Sequence, residues 1–291
     1  MASACAWAVN RCSFLACQRA TFAATVIRGR PLRIAISFRE CKSIRFARNC
    51  CCSSSSTSSD LAVVVANDDK YGNKQIISLT PCLYDYILSN VREPEILRQL
   101  REETAAMPGS QMQVSPDQAQ LLAMLVQILG AKRCIELGVY TGYSSLAVAL
   151  VLPESGCLVA CERDANSLNV AQKYYERAGV SHKVHVKHGM AADSLKSLIL
   201  NGEESSYDFA FVDAEKKMNQ EYFELLLQLV RVGGVIVVDN VLWHGKVADP
   251  LQINDARTVS IRNFNKTLME DNRVSISMVS IGDGMTICRK K

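Results

Sequence analysis

Two apolar runs end in side chains that could hold a cation. Phe209-Ala210-Phe211-Val212 closes on Asp213 and continues into Ala214-Glu215-Lys216; Val235-Ile236-Val237-Val238 closes on Asp239-Asn240. Short apolar runs read as buried strands. If the two lie side by side, Asp213, Asp239 and Asn240 converge on one rim. Oxygen-only ligands suit a hard divalent ion, Mg²⁺ before others, with water and a ligand in the remaining positions. A single acid at a strand end is commonly just solvated, but two neighbouring ones are a stronger signal. Such an ion would chelate two adjacent hydroxyls on an aromatic ring, acidify one and orient its oxygen. Lys216 could take that proton or steer the phenolate if burial and nearby positive charge lower its pKa. The plainer reading makes it half of a solvated Lys216-Lys217 pair. His182, His185 and His188 surround a different strand-like run, where surface placement outweighs ligation.

A second constellation follows Cys134-Ile135-Glu136-Leu137-Gly138, whose turn reads Val139-Tyr140-Thr141-Gly142-Tyr143-Ser144. Glycine there lets the backbone approach a ligand closely. The next apolar run, Leu158 to Cys161, ends in Glu162, placed to accept ribose hydroxyls. Dinucleotide enzymes share a glycine turn plus an acid, but their fingerprint is G-x-G-x-x-G. Here the glycines are Gly138-x-x-x-Gly142, with Glu136 in front. A carboxylate would repel a pyrophosphate and attract the ammonium and sulfonium of S-adenosylmethionine, so the turn favours that cofactor. The alternative for Glu136 is a charge pointing to solvent.

The elements that must position these groups alternate. Helices are expected over Pro81–Asn90, Pro94 to about Met107, and from an N-cap at Ser115 with Pro116 in the first turn to Gly130. Strand and helix then alternate: Cys134–Gly138, Ser144–Leu152, Leu158–Glu162, Asn166–Ala178, Val184–Val186, Asp193–Leu200, Phe209–Asp213, Gln220–Val230, Val235–Asp239, and a helix near Val259–Met269. Val274–Ile281 and Met285–Arg289, joined through Gly282-Asp283-Gly284, read as a hairpin. This is an α/β pattern: a Rossmann-like, doubly wound, seven-stranded and mostly parallel sheet with an antiparallel C-terminal hairpin strand and helices before it. In such sheets ligands bind beyond the carboxyl ends of the strands, where both constellations fall.

Composition divides the 291 residues. Residues 1–59 carry nine of the 33 Lys and Arg but one acid, Glu40, and end in a Ser-rich tract. Arg-rich, Ser-rich and acid-poor is a transit-peptide composition, plastid in preference to mitochondrial from Met1-Ala2-Ser3. Without it the chain is net acidic, which removes the charge argument for nucleic acid. Seven of twelve cysteines lie in the extension; the other five are scattered and suit buried thiols better than a disulfide framework or zinc site. No run reaches the ~18 apolar residues of a membrane span. Residues 60–78 read as an irregular linker and 79–291 as one domain.

The runs ELGVYTGYSSLAVAL, FVDAEK, VGGVIVVDNVLWHGKV and GDGMTICRK, in that order, resemble the cation-dependent plant caffeoyl-CoA O-methyltransferase family and its bacterial catechol-methylating relatives over about residues 75 to 291. The resemblance implies Asp213, Asp239 and Asn240 as metal ligands and Lys216 as the catalytic lysine. It places Glu136, Gly138, Val139 and Ser144 in the methionine-binding turn and Glu162 at the ribose, where many members carry Asp. Ala191 and Glu215, usually Asp, fall on adenine-side contacts. Val114 replaces a plant Thr that touches the cofactor, with Ser115 beside it. A homodimer is implied as well. Two departures bear on the acceptor. His244 replaces the Asn of LWNG, and residues 254–260 lack the tyrosines of the Arg/Tyr-rich stretch that helps hold the CoA thioester. Trp243 is retained and could stack on an aromatic ring, or simply pack in the core. The expectation is a diol O-methyltransferase acting on a flavonoid, caffeoyl or catechol. The alternatives are a caffeoyl-CoA-specific enzyme, a nucleotide-binding oxidoreductase of the same sheet type, and a non-catalytic binding protein.

Overall fold

The computed structural model describes residues 63–65, 72 and 74–291. The basic extension read as a transit peptide lies outside these residues. The stretch read as irregular carries a short ladder instead: Val63–Val65 (β1) pairs antiparallel with Gln75–Ile77 (β2). Strands of three residues are too short to show a period, so the pattern gave no warning.

Three helices precede the main sheet: α1 (Pro81–Ser89), α2 (Glu95–Ala105) and α3 (Pro116–Leu129). Thr80 caps α1. Ser115 and Gln118 form a reciprocal capping box at the start of α3, and Gly130 ends that helix in the left-handed region at φ 59°. The alternating elements follow as β3 (Arg133–Leu137), α4 (Tyr143–Val151), β4 (Cys157–Glu162), α5 (Ala165–Arg177), β5 (Val184–His188), α6 (Ala191–Leu200), β6 (Tyr207–Val212), α7 (Asn219–Leu229), β7 (Val230–Asp239), α8 (Ala256–Glu270), β8 (Val274–Val279) and β9 (Met285–Lys290). The strands lie in the order β5-β4-β3-β6-β7-β9-β8. The first five are parallel, and β9 inserts antiparallel to both β7 and β8. The strands ending in Asp213 and Asp239 are therefore neighbours, as convergence on one rim requires.

Strand residues alternate between two cores. Cys134, Ala160, Phe209, Phe211, Val235 and Val237 face α2 to α5, while Ile135, Leu137, Ala210, Val212, Ile236 and Val238 face α6 to α8. Both faces are covered, which is why these strands read as unbroken apolar runs. Each fully buried large side chain contributes roughly 1.5–3 kcal/mol, so the strand ends are fixed from both sides. The largest boundary difference is at β7, which begins at Val230, directly off α7, rather than at Val235. Its pairing with β6 shifts register between Tyr207 and Phe209. Gly234 makes that possible, since a Cβ there would meet the Val230 side chain at 2.5 Å and the Asp208 carbonyl at 2.9 Å. Among the described residues, no helix is long and apolar enough to cross a membrane.

Candidate active site

The chain winds outward from β3 through β4 to β5, then returns to place β6 on the other side of β3. Ligands bind at such a reversal, beyond the carboxyl ends of the strands. A cavity of about 1060 Å³ lies there. It is lined by Val114, Gly138, Val139, Ser144, Glu162, Ala191, Asp213, Glu215, Lys216, Asp239, Asn240, Trp243 and His244, so every site residue read from the sequence except Glu136 is on its wall.

Gly138 explains why the cofactor turn and the metal-side acids meet. It sits at φ 85°, and a Cβ would lie 2.2 Å from the Asp213 carbonyl oxygen and 2.7 Å from its carbon. Only glycine lets the turn after β3 lie flat against the end of β6. Backbone bonds hold that contact: the Asp213 N–H donates to the Leu137 carbonyl at 2.8 Å, and the Gly138 N–H to Cys161 at 2.9 Å. Gly142, at φ 91°, serves the same purpose further along the turn, where a Cβ would meet that of Ala171 at 2.7 Å. It lets the start of α4, with Ser144, dock on α5 and face the cavity.

Glu136 is neither solvated nor on the wall. It lies mid-sheet opposite Phe211, on the α4–α5 face, and is 1% exposed. Its Oε1 accepts from Ser144 Oγ at 2.6 Å, while Oε2 has no partner. Burial pushes its pKa up to about 8, against the lowering effect of the Ser144 hydroxyl. A buried carboxylate with a free oxygen directly behind a cavity-facing serine suits a cationic ligand group. Glu162, on the wall, has a structural use as well. Oε2 accepts from the Val139 and Tyr140 N–H groups, both at 2.9 Å, and Oε1 from those of Arg163 and Asp164. The carboxylate placed to receive ribose hydroxyls thus pins two turns together, at 2.8–2.9 Å from four backbone donors.

On the metal side, Lys216 Nζ donates to Asp213 Oδ1 at 2.5 Å, and its side chain is 11% exposed. Lys217 is exposed. The solvated-pair reading therefore fails: Lys216 is largely buried, and its partner is a carboxylate. Both aspartates are shifted upward. For Asp213 burial raises and Lys216 opposes; for Asp239 burial leads and the negative charge of Asp213 adds to it. Two carboxylates pushed up by burial, one of them raised further by the charge of the other, are relieved by a cation between them, and Asn240 beside them, at φ 58°, adds a neutral oxygen donor. No three His, Cys, Asp or Glu cluster as a metal site among the described residues. The candidate set reaches three ligands through Asn240, and its donor chemistry fits a hard divalent ion.

Several cavity residues were not foreseen. Gln118, 4% exposed, donates from Nε2 to Asp239 Oδ1 at 3.0 Å while Oε1 accepts from the Ser115 N–H and hydroxyl. The spacing Ser115-x-x-Gln118 marks a capping box, but nothing in it points to an aspartate 121 positions away. Gly282 and Asp283 of the β8–β9 turn also reach the wall. Asp283 Oδ1 accepts from the His244 backbone N–H at 2.5 Å, and its buried Oδ2, which lacks a hydrogen bond, is 3.5 Å from His244 Nδ1. The imidazole itself is largely exposed at the mouth. Arg257 lies over the Trp243 ring, 5.6 Å from its centroid. Trp243 and His244 adopt φ 47° and 54°.

The chain matches the O-methyltransferase family profile over residues 88–291. It is 45% identical over 237 residues to tricin synthase 1 of Oryza sativa subsp. japonica, covering 77% of this chain and 94% of the relative. It is 41% identical over 228 residues to caffeoyl-CoA O-methyltransferase 1 of Zea mays, covering 75% and 88%. The O-methyltransferase of Bacillus cereus, solved in complex with SAH, superposes with a TM-score of 0.65 at 34% identity, covering 72% of this chain and 97% of that one.

Proposed function

The chain belongs to the O-methyltransferase family and is an S-adenosylmethionine-dependent O-methyltransferase, and from that premise we propose that it methylates one hydroxyl of a vicinal aromatic diol with the help of a divalent cation. The observation that carries this reading is the meeting of Asp213, Lys216, Asp239 and Asn240 with the Gly138 turn on one cavity wall. An oxidoreductase loses its support with the family assignment. Retention of all four polar residues speaks against a binding protein without catalysis.

Asp213, Asp239 and Asn240 would hold the cation, most readily Mg²⁺. When bound, it would chelate both diol oxygens and make one of them a better nucleophile. Lys216, whose ammonium donates to Asp213 at 2.5 Å, is positioned to steer a developing phenolate; to act as its base it would first release a proton to solvent, which a cation engaging Asp213 would favour. Gly138, Val139 and Ser144, backed by Glu136, would hold the methionine moiety of the donor, and Ala191 and Glu215 its adenosine. Methyl transfer is an in-line displacement, so fixed positioning of donor and acceptor supplies much of the rate. Trp243 would flank the acceptor ring.

Small diols, flavonoids included, are the favoured acceptors over a CoA thioester. The loop after Trp243 offers few cations for the several phosphates of CoA: Lys246 lies 3.9 Å from Asp255, which leaves the single guanidinium of Arg257. The name of the rice relative, a tricin synthase, supports the same direction. Exposed apolar side chains on α1 and α3 (Tyr86, Met124 and Ile128) support the homodimer as a further element of the proposal. The test is kcat/KM for caffeoyl-CoA, caffeic acid, a 3′,4′-dihydroxyflavone and a monophenol, with Mg²⁺ or excess chelator, in wild type and Asp239→Ala. Transfer to diols should vanish with chelator and in the variant, while binding of S-adenosylhomocysteine largely survives. A hundredfold advantage for caffeoyl-CoA, about 2.7 kcal/mol of transition-state preference, would refute the acceptor reading. Full activity in chelator, or equal rates on the monophenol, would refute the cation.

A further inference from the structure

We propose that Arg257 recognises an anion on the acceptor, and that the natural acceptor is a vicinal diol carrying a carboxylate. The proposal rests on the diol reading above and deepens it.

Arg257 is the second residue of α8 and lines the cavity. Its backbone is fixed, because Asp255 caps the helix and accepts from the Arg257 N–H at 3.1 Å and from the Thr258 hydroxyl at 2.7 Å. Its guanidinium is not fixed in the same way. It lies over Trp243, 5.6 Å from the ring centroid, and its nearest acid is Glu215, with Nε 3.9 Å from Oε1, beyond hydrogen-bond range. The side chain is 47% exposed toward the open space of the cavity. Other arginines contrast with it. Arg101 is forked onto Glu93, and Arg273 onto Glu224 and Asp271. Arg262, further along α8, donates to the carbonyls of Lys246, Val247, Asp249 and Gln252. Those donors are spent on architecture, whereas the fork of Arg257 makes no hydrogen bond among the described residues.

A guanidinium that lies over an aromatic face and makes no hydrogen bond keeps its fork free, and that fork matches a carboxylate with two parallel hydrogen bonds. Of the other lysines and arginines on the cavity wall, Lys216 is engaged with Asp213, and Arg163 follows Glu162 on the cofactor side. A ring beside Trp243 that presents its diol to Asp239 and Asn240 could therefore turn an acidic substituent toward Arg257. A single free fork matches one carboxylate and falls short of the several phosphates of a CoA thioester.

The experiment compares a 3,4-dihydroxycinnamic acid with its methyl ester, which differ only in the anion. Acid-to-ester ratios of kcat/KM are measured in wild type, Arg257→Gln and Arg257→Lys. Any general effect of the substitutions on folding or cofactor binding cancels in the ratio. Wild type should prefer the acid by at least about tenfold. Arg257→Gln should lower the ratio about 10–100-fold, in keeping with loss of a charge-assisted hydrogen bond, and Arg257→Lys should fall between. Turnover of both compounds with the same ratio in wild type and Arg257→Gln would overturn this proposal and leave the diol reading standing. No turnover of either compound would overturn both.

Discussion

Replacing Glu136 with Gln should make the cofactor-free protein more stable and its cofactor binding weaker. Glu136 is sealed between β3 and α4 with one oxygen lacking a partner. Its carboxyl titrates near 8 in the folded protein, against an ordinary value of 4.5. The folded state therefore keeps a proton that the unfolded chain has released. Stability from this group is fully present below about pH 4.5, declines as pH rises, and levels off above about pH 8. At ~1.4 kcal/mol for each pH unit between the two values, the cost at pH 8 is on the order of a few kcal/mol. For a domain of this size each kcal/mol moves Tm by roughly 2–4 °C. Thermal melts of cofactor-free wild type and Glu136→Gln, from pH 5 to 9, should nearly coincide at the acid end. They should separate progressively, with the variant up to about 10 °C higher at pH 8. Other titrating groups cancel in the difference between the two proteins. S-adenosylhomocysteine should then stabilise wild type more than the variant, since an amide cannot offer a full negative charge to an ammonium group. Melting curves that stay parallel from pH 5 to 9 would refute the reasoning.

Gln118→Leu removes the donor to Asp239 Oδ1 at nearly constant volume. Affinity for Mn²⁺, followed by electron paramagnetic resonance, should weaken about 10–100-fold, as is usual when a residue that orients a metal ligand is lost. Undiminished Mn²⁺ binding would show that Asp239 is oriented without it. The N-terminal extension is expected to direct import into plastids. Residues 1–70 fused to a fluorescent protein should enter the organelle and be cleaved, and an uncleaved, diffuse cytosolic signal would rule that out.

The sequence was most informative where a single strand carried the whole signal. Asp213, Asp239 and Asn240 each close an apolar run, so their place at one rim followed once β6 and β7 were paired. Gly138 was read as close approach to a ligand; the crowding the structure shows is against the Asp213 carbonyl, 75 residues away, which no local pattern marks. Glu136 was assigned to the cofactor turn by charge, yet its depth was hidden: strand alternation puts it on the α4–α5 face, and an acid there breaks the rule that such faces are apolar. Glu162 was read at a strand end facing the cofactor; that it also holds four backbone donors has no local signature. Gln118 and Asp283 arrive from a helix start and a hairpin turn that meet only in three dimensions. Arg257 belonged to a stretch noticed for what it lacks, and its place over Trp243 has no local signature.

The left-handed backbone at Asn240, Trp243, His244 and Gly245 has a practical consequence for anyone diversifying this enzyme. Side chains other than Gly, Asn and Asp in that conformation cost roughly 1–2 kcal/mol each, and β-branched ones more. Trp243 and His244 already carry that cost, so randomising them would favour Gly, Asn and Asp for backbone reasons, and variants gained that way would say little about molecular recognition. The first turn of α8 supports any helix-compatible residue at 257 without that penalty. A library built on α8, with the strained loop left intact, is the more economical route to new acceptor scope.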